Sequence, residues 1–243
     1  MTENTEIPDL WTDSEYYADL YQNDDQIRAV CKLLELPSAT SLVDIGCGNG
    51  VFAVAAASQF PDCAVVALDS LSSAVEETKR RASLADCKNL RAEVASADVL
   101  PIPDSSADRI LMRNVAHHLS SLDTALAEVS RVLSPGGVFL FEAPCNPGDS
   151  ALGELLSDIH MLMDNSHRRT YHCPEAVAAC MQTHGIEPSE PECWPYSFPV
   201  DIDQINLIKS RNPAACLSLD ESCKGKAAIQ LTLTRIVGKK RES

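Results

Sequence analysis

The sequence predicts an open, mostly parallel α/β sheet with helices on both faces. Three observations carry this. Apolar strand-like runs alternate with helical patterns from Leu42 to Glu142. Glycines stand at alternate positions, Gly46, Gly48 and Gly50, just after the first run. Beyond Ala143 the alternation stops. Strands that read as continuous apolar runs, joined by helices, belong to a parallel sheet covered on both sides.

The elements follow in order. "SLVDIG" reads as a buried strand and "VFAVAAASQF" as a short helix ending at Phe60. "CAVVALD" is a second buried strand. "SSAVEETKRRASLA" is a longer helix with acids early and bases late, as the helix dipole prefers. "NLRAEVAS" and "ADRILMRN" supply strands three and four. "SLDTALAEVSRVL" places Leu122, Leu126, Val129 and Leu133 on one helical face, and "SPGG" should stop that helix before the strand "VFLFEA". Later, "PEAVAACMQTHG" begins with Pro174 and stops at Gly185, as helices do. "EPECWPYSFP" is strand-like, a short helix is expected near Asp203 to Ser210, and "AAIQLTLTRIVG" is the last strand, antiparallel to its neighbour.

One domain is expected over residues 1–243. Residues 1–38 form a helical lid, 39–143 the cofactor-binding half, 144–172 and 200–224 cap insertions, and 225–243 the last strand and tail. Trp11, Tyr16, Tyr17 and Tyr21 give the lid an aromatic face that can fold over a crevice or pack on the sheet edge.

Composition removes several classes of function. With 20 basic and 35 acidic residues the net charge is −15, a field that repels phosphate backbones and anionic lipid. Nucleic acid is therefore not an expected partner. No apolar stretch reaches the roughly 20 residues that span a bilayer, so membrane insertion is not expected either. The start, "MTENTEIPDL", lacks the basic and apolar segments of a secretory signal, and cytoplasm is the expected location. The ten cysteines are scattered singly, with no C-x-x-C pair, and read as small buried side chains kept reduced.

The chemistry concentrates at the carboxyl ends of the strands, where open parallel sheets bind ligands. Gly46, Gly48 and Gly50 lie after strand one at a helix entry. Missing side chains let a ligand approach backbone, and free N–H groups there favour an anionic group. The spacing G-x-G-x-G is shorter than the dinucleotide G-x-G-x-x-G. Asp69 ends strand two, where a carboxylate can accept from both hydroxyls of a ribose. Asp98 follows strand three, where it can accept from an adenine amino group while a neighbouring N–H, such as that of Val99, meets a ring nitrogen.

The runs "VDIGCGNG", "ALD", "ASADVLPIPDSSAD" and "RVLSPGGVFLFE" resemble those of class I S-adenosylmethionine-dependent methyltransferases. The likeness is nearest to the ubiquinone and menaquinone biosynthesis branch and covers residues 40 to 145. It implies a Rossmann-like seven-stranded sheet with an antiparallel last strand, and S-adenosyl-L-methionine as cofactor. Gly46, Cys47, Gly48 and Gly50 would then receive the methionine part, Asp69 with Ser70 the ribose, and Asp98 with Val99 the adenine. Asp44 would orient the glycine turn and help hold the amino group. Backbone at Arg113 and Asn114 would face the sulfonium.

On the acceptor side, His117 and His118 in "RNVAHHL" follow strand four and are the candidate catalytic bases for an acceptor that must lose a proton. A packing role for one of them is the plain alternative. His167 and Arg169, in the polar run "DNSHRRTYH", are candidate substrate contacts, against the plain reading of a surface loop that neutralises acids. His160, His167 and His172 lack tight ligand spacing, so no metal is expected. The expected reaction is C- or O-methylation of a small organic molecule by in-line displacement. The rivals are a nucleoside-binding module without turnover and an NAD(P)-dependent reductase. The short-chain form of the latter would need Tyr-x-x-x-Lys, which no tyrosine here provides. Methylation of arsenite or a thiol, suggested by Cys145, Cys173 and Cys193, lacks paired thiols in sequence.

Overall fold

The computed structural model describes residues 24–145, 172–200 and 227–242. Helix α1 (Asp24–Leu33) and a short 3-10 turn (Leu36–Ser38) lead into strand β1 (Ser41–Ile45). There follow α2 (Val51–Gln59), β2 (Ala64–Asp69), α3 (Ser72–Leu84), β3 (Leu90–Val94) and β4 (Ala107–Arg113). A 3-10 turn at Ala116–His118, helix α4 (Leu122–Val132) and strand β5 (Leu133–Pro144) complete the first half. Helix α5 (Pro174–Thr183), β6 (Ile186–Pro188), β7 (Glu192–Val200) and β8 (Ala227–Lys240) form the rest.

All eight strands join one sheet of order β3-β2-β1-β4-β5-β8-β6, with β7 also on β8. The first five are parallel, and β8 is antiparallel to β5, β6 and β7. Strand β6 pairs with Gly238–Lys240 and β7 with residues 227–235, so the two share one edge position, broken at residues 189–191. Eight strands thus occupy seven positions, and the last strand runs antiparallel as expected. The three-residue β6 was not legible in sequence.

Alternation along the central strands explains why both faces are covered. Ile110 and Met112 join an apolar cluster with Leu126, Val129, Phe139, Phe141 and Val177. Leu111 between them joins the opposite cluster, with Val30, Leu34, Phe52, Val65 and Leu140. Burying each such side chain contributes about 1.5–3 kcal/mol. The "SPGG" stop lies inside β5 rather than before it. The strand begins at Leu133 opposite Ala107 and bulges, so that Val138 is the next residue to pair, with Arg109.

Residues 24–38, the end of the expected lid, are packed into the second cluster through Ile27, Val30, Cys31, Leu34 and Leu36. The aromatic group at residues 11–21, the helix near residues 203–210 and nearly all of the cap segments lie outside the described residues. Among the described residues no helix is long and apolar enough to cross a membrane.

Candidate functional site

The sheet reverses its winding between β1 and β4: β2 and β3 lie to one side of β1, and β4 and β5 to the other. A crevice forms at such a switch point, outside the carboxyl ends of the strands. Here it is a cavity of about 620 Å³ lined by the turn after β1, the ends of β2 and β4, the loop after β3 and the segment before α4.

The glycine turn is built by backbone contacts that side chains would obstruct. Gly46 has φ +72°, and a Cβ there would stand 2.1 Å from Val115 Cγ2. Gly50, with φ +77°, would meet Thr78 Oγ1 at 2.5 Å. Gly48 differs: φ is +53°, and a Cβ would find nothing within 4 Å. Its missing side chain leaves open space, and Gly48 lines the cavity.

The turn is held by partners other than the expected one. The N–H groups of Gly46 and Cys47 donate to the Leu68 carbonyl at 2.7 and 3.0 Å. The N–H of Gly48 donates to Asp69 Oδ2 at 2.9 Å, and Thr78 Oγ1 donates to the Gly48 carbonyl at 3.1 Å. Asp44 makes none of these contacts. It is 3% exposed and lines the cavity. Burial raises its carboxyl to about 7, nearby Arg113 opposing the rise and Asp69 adding to it.

Asp69 uses one oxygen on Gly48 and the other on the Leu71 N–H at 3.0 Å. A carboxylate oxygen accepts more than one hydrogen bond, so both remain able to meet hydroxyls. Asp98 receives Ser120 Oγ–H on Oδ2 at 2.5 Å. Its Oδ1 is sealed from solvent with no hydrogen-bond partner among the described residues. The loop carrying it is pinned to α4: Arg131 donates to the carbonyls of Leu100 and Ile102 at 3.0 and 2.8 Å, and Glu128 accepts from the Leu100 N–H at 2.7 Å.

Below the cavity, buried Glu142 on β5 binds two arginines. Arg113 Nε donates to Oε1 at 2.8 Å and Arg235 Nε to Oε2 at 2.8 Å. Arg113 also donates to Gln26 Oε1 of α1 at 2.9 Å. Asn114 then turns the chain out of β4 with φ 56°, its N–H on the Glu142 carbonyl at 2.7 Å.

Of the residues singled out in sequence, Asp44, Gly46, Cys47, Gly48, Asp69, Ser70, Asp98, Arg113, Asn114 and His118 line this one cavity. Three do not. Gly50 packs against Thr78 at the start of α2. Val99 is 72% exposed and its N–H is taken by the Ser96 carbonyl at 3.1 Å, in a tight turn. His117 is buried, its ring 4.2 Å from that of His118. Residues His167 and Arg169 lie outside the described residues. Burial raises the Cys47 thiol and pushes Cys145 up to about 12. Such thiols are poor nucleophiles at neutral pH. Exposed Cys193 has its Sγ 3.4 Å from Thr234 Oγ1. None of the eight cysteines among the described residues is in a disulfide.

Sequence reading missed Thr78, Ser120 and the Gln26–Arg113–Glu142–Arg235 network. Thr78 and Ser120 carry no pattern of their own. Arg235 sits in a strand whose register was unknown until it paired with Glu142.

Comparison with known proteins agrees with this fold. A profile of the methyltransferase domain family matches residues 36–196. An uncharacterised methyltransferase of Bacillus subtilis, YcgJ, is 32% identical over 158 residues, 64% of this chain and 62% of the relative. The YcgJ crystal structure superposes with a TM-score of 0.79 at 25% identity, covering 90% of this chain and 99% of that one. A demethylmenaquinone methyltransferase of Symbiobacterium thermophilum is 32% identical over 101 residues, 41% of this chain and 40% of the relative. A dimethylglycine N-methyltransferase of Parasynechococcus marenigrum is 30% identical over 189 residues, 71% and 66% respectively. In sequence the match spans about 62% of the length of YcgJ and 40% of the demethylmenaquinone enzyme. With a family profile over about two thirds of its length and the sheet order of that fold, the chain belongs to the methyltransferase domain family.

Proposed function

We propose that this chain binds S-adenosylmethionine in the 620 Å³ cavity and transfers its methyl group to a small organic acceptor, at carbon or oxygen. One observation carries the reading: Gly48, Asp69 and Asp98, far apart in sequence, converge on that cavity with the donors and acceptors a nucleoside amino acid needs. The room beside Gly48 and the partnerless Oδ1 of Asp98 both fit such a ligand. Asp69 takes the ribose hydroxyls, Asp98 the adenine amino group, and Asp44 the α-ammonium group. Leu71 and Leu119 supply apolar lining.

When bound, S-adenosylmethionine supplies a methyl group activated by its sulfonium. The protein then has to hold the acceptor in line and exclude water, a positional effect worth roughly 7–11 kcal/mol. Of the two histidines, His118 lines the cavity and is the one placed to take a proton from an acceptor; it contributes about 10²–10⁴-fold where the acceptor is a hydroxyl or carbon acid. His117 is buried beside it and does not line the cavity. The demethylmenaquinone and dimethylglycine relatives bear the names of different acceptors, so likeness to them does not choose the acceptor here.

Isothermal titration with S-adenosylhomocysteine tests cofactor binding, and absence of heat from folded protein at millimolar ligand rejects it. Methyl consumption screened against fractionated cell extract then tests turnover. Binding without turnover in any fraction would favour a nucleoside-sensing module.

A further inference from the structure

A second cluster of chemically active side chains lies outside the cavity, between α4 and α5. Val177 and Met181 of α5 are buried in the same apolar cluster as Leu126 and Val129 of α4, which sets the two helices side by side. Cys180 and His184 are four residues apart and so share one face of α5 and its cap. That face meets Asp123 in the first turn of α4. His184 Nε2 lies 2.9 Å from Asp123 Oδ1, and Cys180 Sγ lies 3.8 Å from the same oxygen. One donor atom from each residue lies within 4.8 Å of the others.

The backbones behind these groups are fixed. Ser121 caps α4, its Oγ accepting the Thr124 N–H at 3.1 Å, and Ser130 Oγ donates to the His184 carbonyl at 2.6 Å. The plain account is an exposed Asp–His pair worth no more than about 1 kcal/mol, with a thiol nearby. It gives no reason for a sulfur to complete the group.

A tetrahedral ion with nitrogen and oxygen at about 2.0–2.1 Å and sulfur at about 2.3 Å needs donors roughly 3.3–3.6 Å apart. The present separations reach that range through side-chain shifts of about 1 Å. Thiolate, imidazole and carboxylate together suit zinc-type ions better than magnesium or calcium.

We propose that Asp123, Cys180 and His184 form a binding site for one divalent transition-metal ion of the zinc type, with solvent as the fourth ligand. The sequence reading weighed only His160, His167 and His172 and expected no metal, since Asp123 lies 57 residues before Cys180. Binding replaces the thiol proton, which leaves to buffer. The ion ties the start of α4 to the end of α5. Ser120, three residues before Asp123, donates to Asp98, so the same tie stiffens one wall of the cavity. The site stands independently of methyl transfer.

The test uses the full chain, stripped with chelator, held in a non-thiol reductant and titrated with cobalt(II). One equivalent should produce a near-ultraviolet thiolate charge-transfer band together with intense visible bands of tetrahedral cobalt, all bleached by one equivalent of zinc. Cys180→Ser should abolish the charge-transfer band. Asp123→Asn and His184→Gln should weaken binding by at least about 10-fold, with circular dichroism confirming the fold. X-ray absorption of the zinc-loaded unmodified protein should show one sulfur and three lighter neighbours, a readout that needs no variant. Absence of the band, its survival in Cys180→Ser, or two or more sulfurs around zinc would overturn the site.

Discussion

The Gly48 N–H donates to Asp69 Oδ2 at 2.9 Å, joining the turn after β1 to the end of β2. In the proposed binding mode this one carboxylate both shapes the cradle for the amino-acid end of the ligand and meets its sugar. Asp69→Ala should lower affinity for S-adenosylhomocysteine by at least about 100-fold, and leaving the two N–H groups unmatched should cost about 1–3 kcal/mol of stability. Calorimetric titration and urea denaturation read the two effects separately. Affinity within threefold of the parent would remove Asp69 from the site.

The glycines should divide into two kinds. Gly46→Ala drives a methyl group into Val115 and forces a positive φ, and should cost about 2–5 kcal/mol of stability. Gly48→Ala meets no atom and pays only for its φ, about 1–2 kcal/mol. On the proposed binding mode its methyl group enters space that the ligand takes, so affinity should fall while the fold persists. Thermal melts with and without S-adenosylhomocysteine check this; equal destabilisation by both substitutions would contradict it.

Asp44 should make both binding and stability depend on pH. Its folded value is about 7 against an ordinary 3.8, so the folded chain keeps a proton that the unfolded chain has lost. Stability therefore declines as pH rises through that window, and the loss is complete above it. Asp44→Asn should be more stable than the parent at pH 8, by about 1–3 kcal/mol, and the gap should narrow toward pH 5. Affinity for the ligand's ammonium group runs the other way, weakening up to about tenfold per pH unit below 7 in the parent and staying flat in the variant. Parallel melting and titration series from pH 5 to 8 would reveal a pH-independent gap, which would sink this assignment.

Glu142 should be a structural keystone rather than a binding group. Its side chain is 2% exposed and pairs with Arg113 and Arg235, which are 10% and 16% exposed. Glu142→Ala leaves two buried guanidinium groups facing one another and should cost about 3–5 kcal/mol. Replacing Glu142 by Gln should recover part of that loss by keeping a hydrogen-bond acceptor. Urea midpoints order the three proteins, and a neutral Glu142→Ala would show that the network does not hold β4, β5 and β8 together.

Much of the first half of the sheet was legible because its signals are local. Gly46, Asp69 and Asp98 each stand where a strand ends, and strand ends can be read from apolar runs a few residues long. Where the structure differs from the sequence reading, the causes are local too. Val99 was paired with Asp98 because it is adjacent, but a tight turn spends its N–H on Ser96. His117 and His118 look alike in sequence. A single 3-10 turn buries one and places the other on the cavity wall.

By itself, then, the sequence determined the parallel sheet, the glycine turn and the acids at the strand ends, because periodicity and turn chemistry act over a few residues. Tertiary structure alone decided which side chains share a contact across that framework: Thr78 behind Gly48, Arg235 opposite Glu142, and Cys180 and His184 against Asp123. Those meetings depend on strand register and helix packing, which the burial of both sheet faces sets for the whole chain at once.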